Sequence, residues 1–125
     1  MNGSLLLDTN ALIYLSKGQI EILDILKKYS NIYISAITKM EVLGFHFEND
    51  NERKTIEKIV NTFEIIHTNN EITDLTILYR KNKKIKIPDA IILATAKYKK
   101  AHLLTANYKD FKNIDKAVNI IQLTV

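Results

Sequence analysis

Asp8, Glu41 and Asp89 are the acids whose positions suggest chemistry. Asp8 ends the apolar run Leu5-Leu6-Leu7 and precedes Thr9-Asn10 and a new apolar pattern, Ala11, Leu12, Ile13 and Leu15. That pattern reads as a buried strand that stops at Asp8 and hands over to a helix. In open α/β sheets ligands bind just beyond the carboxyl ends of the strands, so an acid there points into a candidate site. The plainer alternative is a helix N-cap. Glu41 falls in the helix after the second strand, at the border of an apolar arc made by Ala36, Ile37, Met40, Leu43, Gly44 and Phe47. A carboxylate at the edge of a buried face costs free energy unless compensated. The alternative is a Glu paired with a lysine or arginine. Asp89 follows Pro88 and opens Ala90-Ile91-Ile92-Leu93-Ala94-Thr95-Ala96, a helix apolar nearly all round and therefore central. A favourable place on the helix dipole, worth about 0.3–1 kcal/mol, is its plainer explanation. Thr105-Ala106-Asn107 and Asp110 follow the fourth strand, with helix capping by Asn107 as the ordinary reading.

Brought to one pocket with Asn107 and Asp110, the carboxylates of Asp8, Glu41 and Asp89 would repel one another unless protonated or bridged by a cation. Oxygen ligands without histidine or cysteine select hard ions, Mg²⁺ or Mn²⁺. Such ions pair with phosphate oxygens, which makes metal-assisted phosphodiester hydrolysis the expected reaction class.

The elements that would have to gather these residues alternate. Strands are predicted at Leu5–Leu7, Asn31–Ile34, Phe63–Ile66, His102–Leu104 and Asn119–Leu123. Gly18 closes the first helix, and further helices are expected over about 19–29 and 36–48, after a polar break at Asn49-Asp50-Asn51 around Ile56, Ile59 and Val60, and over 71–81 and 88–100, with a short helical turn at Tyr108–Phe111. Ser35 stands at an N-cap position, and Pro88 suits a first helical turn. Strand and helix in alternation predict a three-layer α/β/α sandwich around a central parallel sheet of about five strands.

The 125 residues suit one domain spanning 1–125, with 46% hydrophobic and 26% charged residues as in ordinary globular chains. There is no cysteine, which removes disulfides, thiol nucleophiles and thiolate metal sites. The N-terminus lacks the layout of a signal peptide, and no apolar run is long enough to span a bilayer. A cytoplasmic protein without a membrane partner is expected. A net charge of +4 and a pI near 9.2 lean toward polyanions, nucleic acid first.

These pieces resemble the PIN-domain ribonucleases, especially the small VapC-like toxins of toxin–antitoxin pairs. The resemblance rests on Leu7-Asp8-Thr9-Asn10, on Ser35 through Glu41, on Asp89 with Ile92-Leu93-Ala94-Thr95-Ala96, and on Thr105-Ala106-Asn107 with Asp110-Phe111. In order, they span almost the whole chain. The resemblance implies a five-stranded parallel sheet, an acidic metal site, endonucleolytic cleavage of RNA leaving 5′-phosphate and 3′-hydroxyl ends, and inhibition by a cognate antitoxin. It implies Asp8, Glu41 and Asp89 as the three acids, Asp8 and Asp89 as the direct Mg²⁺ or Mn²⁺ ligands, and Thr105 as a support. Thr9 stands beside them. At the fourth acidic position this chain has Asn107, with Asp110 three residues later.

Other features have plainer readings. His46, His67 and His102 show no ligand spacing. The clusters Arg80-Lys81, Lys83-Lys84, Lys86 and Lys97, Lys99, Lys100 are solvated faces, except that those nearest the carboxyl edge of the sheet could guide an RNA backbone. The helix with Ile22, Ile25, Leu26 and Tyr29 is core on one side, and surplus apolar surface there would suit an antitoxin or a homodimer contact. Competing functions are a non-catalytic PIN-like binding module and a phospho-receiver domain; the latter would require a second acid beside Asp8 and a basic residue after Gln122, and neither is present.

Overall fold

Three consecutive leucines cannot all face one side of a sheet, so a strand made of them must be covered on both. The computed structural model, which describes residues 3–124, places this strand, β1 (Gly3–Leu7), at the centre. Leu5, Leu6 and Leu7 have no exposed surface. The sheet has five parallel strands in the order β3-β2-β1-β4-β5, with β2 at Tyr29–Ser35, β3 at Glu64–Ile66, β4 at His102–Thr105 and β5 at Ile120–Gln122. The register sets Leu7 beside Ile34 on one side and Leu104 on the other. This order differs from the 2-1-3-4-5 order of receiver domains. It makes β1 the point where the chain reverses its direction of growth across the sheet, and the crevice for a ligand opens there.

Alternation divides the core into two layers. Leu6, Tyr33, Ile66 and Leu103 pack against α5 (Asn70–Asn82) and α6 (Ile87–Lys99), with Ile72, Tyr79, Ile92 and Leu93 buried between them. Leu5, Leu7, Ile34 and Leu104 face the other way, onto α1 (Thr9–Ser16), α2 (Ile20–Leu26) and α4 (Asp50–Thr62), through Ala11, Leu12, Ile22, Ile56 and Val60. The expected α/β/α sandwich is the observed one. Ala90 and every residue from Ile92 to Ala96 are buried, as their all-round apolar pattern requires. The remaining helices, α3 (Ala36–Leu43) and α7 (Tyr108–Phe111), sit at the carboxyl ends of β2 and β4.

The largest differences from the expected boundaries lie at the ends of α2 and α3. The second helix ends at Leu26, and Tyr29 instead begins β2, where its hydroxyl meets His102 Nδ1 at 2.9 Å. Helix α3 stops at Leu43 with Gly44 as its cap, not near Glu48; Phe45 and Phe47 then stack edge to face outside it. Its orientation is also corrected. Met40 is 64% exposed, and the buried positions are Ala36, Thr38 and Val42. Eight residues give barely two turns, too few for periodicity to fix which side turns inward.

Candidate active site

The rim at the carboxyl ends of β1, β2 and β4 collects the residues singled out in the sequence. Asp8 lies at its bottom. It is the N-cap of α1, with Oδ1 accepting from the Ala11 amide at 2.8 Å, while Oδ2 accepts from the Thr105 hydroxyl at 2.5 Å. The capping role and the site position, posed as alternatives, are therefore filled by one carboxylate with different oxygens. Asp8 is only 3% exposed. Burial pushes its pKa up to about 6, against the opposing hydrogen bonds from Thr105 and Ala11; Asp89 and Glu41 raise it further. Thr105 is wholly buried, and its Oγ1 also accepts from the Asn107 amide at 2.9 Å. One threonine thus ties the end of β4 to Asp8 and shapes the loop that bears Asn107.

Glu41 is exposed, so the expected burial cost at this position does not arise. Nor does it have the lysine or arginine partner considered for it: among the described residues the ion pairs all lie on α4, joining Asp50, Arg53, Lys54 and Glu57. Instead Glu41 Oε1 accepts from the Thr9 hydroxyl at 2.5 Å. Thr9 Oγ1 lies 3.2 Å from Thr38 Oγ1. A hydroxyl has one hydrogen and a carboxylate has none to give, so Thr9 donates to Glu41 and Thr38 donates to Thr9. Thr38 went unnoticed in the sequence; the only signal was a polar residue one position from the apolar arc.

Asp89 is half-buried in the first turn of α6, with Pro88 before it. Burial raises its pKa, as do Asp110 and Glu41, while Lys86 acts in the opposite sense. Asn107 precedes α7 without a side-chain cap hydrogen bond, so the capping explanation for its side chain does not hold. Gln122 of the edge strand completes the frame. Its Oε1 accepts from the Tyr108 amide, and its Nε2 donates to the carbonyls of Ala106 and Leu123, each at 2.8 Å.

Asp8, Thr9, Glu41, Asp89, Asn107 and Asp110 line one cavity of about 270 Å³, with Phe111 and Ile92 in its walls and, among the described residues, Lys86 as its one cation. Thr105 stands behind Asp8 and not in the lining. Every expected site residue is thus at this rim. Among the described residues, no group of three or more His, Asp or Glu side chains stands close enough to hold a metal ion by itself. The donor chemistry suits a hard divalent cation that keeps several waters and takes one or two carboxylates, and does not suit a fully protein-caged ion. His46 and His67 are exposed, and His102 is engaged with Tyr29 on β2.

The family model of the PIN domain matches residues 5–117. Among solved structures, a toxin–antitoxin complex from Klebsiella pneumoniae is similar at 34% identity and a TM-score of 0.79, over 94% of this chain and 96% of that one. VapBC2 from Rickettsia felis, bound to a DNA fragment from its promoter, shares 22% identity with a TM-score of 0.83, over 97% and 99% of the two chains. FitAcB from Neisseria gonorrhoeae shares 24% identity with a TM-score of 0.78, over 94% and 96%. A comparison with curated proteins finds no match.

Proposed function

From the premise that the chain belongs to the PIN-domain family, we propose that it is a metal-dependent endoribonuclease, a VapC-like toxin that hydrolyses RNA phosphodiester bonds. One observation carries this reading: four carboxylates from distant parts of the chain line a single cavity with one lysine among them. Like charges gathered this way favour a bound cation, and Asp8 and Asp89 would hold Mg²⁺ or Mn²⁺. When bound, the ion supplies charge neutralisation at the phosphate and an acidified water.

The protein's own groups do the positioning. Thr105 and the Ala11 amide fix both oxygens of Asp8. Thr9 fixes Oε1 of Glu41, which leaves Oε2 to orient the attacking water and take its proton. Asn107 contributes a neutral carbonyl oxygen and amide where a fourth acid would add charge, and Asp110 reaches the same cavity from α7.

The similarity to toxin–antitoxin complexes supports a cognate antitoxin as partner, and a homodimer within such an assembly. No helix among the described residues is long and apolar enough to cross a membrane. We propose action on RNA in the cytoplasm, by a single nuclease domain over 1–125.

The test is cleavage of a single-stranded RNA with and without Mg²⁺ or Mn²⁺, by the native protein and by Asp89→Asn. Activity should require the ion and fall about a hundred- to a thousandfold in the variant, as for loss of a main electrostatic group. The folded state should persist, since Asn keeps the side chain's shape. Undiminished cleavage by Asp89→Asn would remove Asp89 from the mechanism, and absence of cleavage by the native protein with either ion would leave a binding module.

A further inference from the structure

We infer that the RNA strand is held by its phosphates on one side of the acidic cavity only, in a groove formed by the end of α5, the α5–α6 connection and α7. The inference rests on the nuclease reading for its substrate. A second cavity, of about 430 Å³, shares Lys86, Asp89 and Asp110 with the acidic one, so the two are continuous. Its other polar lining is Arg80, Lys84, Lys109 and Lys112. Five cations thus face two carboxylates there, whereas in the acidic cavity four carboxylates face one cation. All five basic side chains are exposed, and among the described residues none is in an ion pair. Their charge is available to an incoming anion. Arg80 is also pre-set: its Nη1 donates to the Ile85 carbonyl at 2.6 Å, which orients the guanidinium while leaving other N–H groups free.

The opposite flank is different. There a cavity of about 230 Å³, bordered by Glu41, is walled by Ile13, Val42, Phe45, Phe47 and Ile56, and its charges are Glu41, Glu52 and Lys17. Two carboxylates against one lysine repel a phosphate chain, and the apolar walls give its oxygens no partners. A polyanion crossing the acid cluster therefore finds compensation in one direction only. The sequence shows one half of this groove as the basic run 80–86, and only the fold brings Lys109 and Lys112 alongside it.

The measurement is binding of a fluorescent single-stranded RNA of about twelve nucleotides, in EDTA, over a series of salt concentrations. All proteins carry Asp89→Asn, so no cleavage is needed. The groove variant is Lys84→Gln/Lys109→Gln/Lys112→Gln. The charge-matched control is Lys27→Gln/Lys28→Gln/Lys116→Gln, away from the rim, and Lys17→Gln tests the opposite flank. Each phosphate contact on a single strand contributes about 0.7 to the slope of log K against log salt, so the groove variant should lose about two from that slope and about tenfold or more in affinity at low salt. The control and Lys17→Gln should keep the slope of the parent. Equal losses in groove and control variants would reduce the effect to net charge and overturn the inference. So would a slope loss in Lys17→Gln matching the loss per groove lysine. These outcomes are separate from the nuclease reading, which stands or falls on metal-dependent cleavage by the native protein.

Discussion

Replacing Asp8 by Asn should stabilise the metal-free protein at neutral pH, and the size of the effect follows from its surroundings. Asp8 is 3% exposed, and burial moves its pKa from 3.8 to about 6. The folded protein therefore holds a proton that the unfolded chain has already released. This contribution to stability is complete below about pH 3.8 and is lost as the pH rises through about 6. The gap corresponds to about 3 kcal/mol. Asn has no such transition. Its oxygen keeps the bond from the Ala11 amide, and its NH₂ faces the Thr105 hydroxyl, which has a second lone pair to accept it. Thermal unfolding in EDTA at pH 4 and at pH 7.5 separates the two proteins. Between those pH values native protein should lose about 10 °C more in Tm than Asp8→Asn. Adding Mn²⁺ at about a hundred times its dissociation constant should restore about 2.7 kcal/mol to the native protein at pH 7.5 and little to the variant. Parallel pH profiles for the two proteins would refute the reasoning, since they would show an Asp8 that titrates as an ordinary surface acid.

Thr105→Val removes the hydroxyl that serves both Asp8 Oδ2 and the Asn107 amide; urea denaturation should show a loss of about 1–3 kcal/mol, and cleavage should require more metal at pH 7 because Asp8 loses a bond that lowers its pKa. Glu41→Gln should leave stability within about 0.5 kcal/mol, since Glu41 is exposed, while kcat falls by about a hundredfold with KM little changed. Leu93→Ala, in the wholly buried run of α6, should cost about 2–5 kcal/mol by urea denaturation through the cavity it opens.

Much of the fold was legible because its elements declare themselves locally. A run of three leucines demands cover on both faces, and Pro88 followed by seven nearly unbroken apolar residues demands a central helix. Both demands are met. Helix α3 was harder. Its eight residues carry too little periodicity to choose a face, so apolar spacing alone puts Met40 in the core and Glu41 at a buried edge, whereas both are exposed. At the rim, sequence marked which acids fall at strand ends. It did not show what holds them. Thr38 reaches Glu41 only through Thr9, and Gln122 acts on a loop fourteen residues earlier. Such partners lie far off in the chain and have no spacing rule of their own.

The bond between Asp8 and Thr105 joins residues 97 positions apart. A growing polypeptide emerges amino end first, so the ribosome has released Asp8 long before β4 exists to pair with β1. Until then the middle strand lacks one neighbour and its acid lacks the hydroxyl that orients it. A chain that ends before β4 therefore has neither the second neighbour of its central strand nor the hydroxyl that holds Asp8 Oδ2.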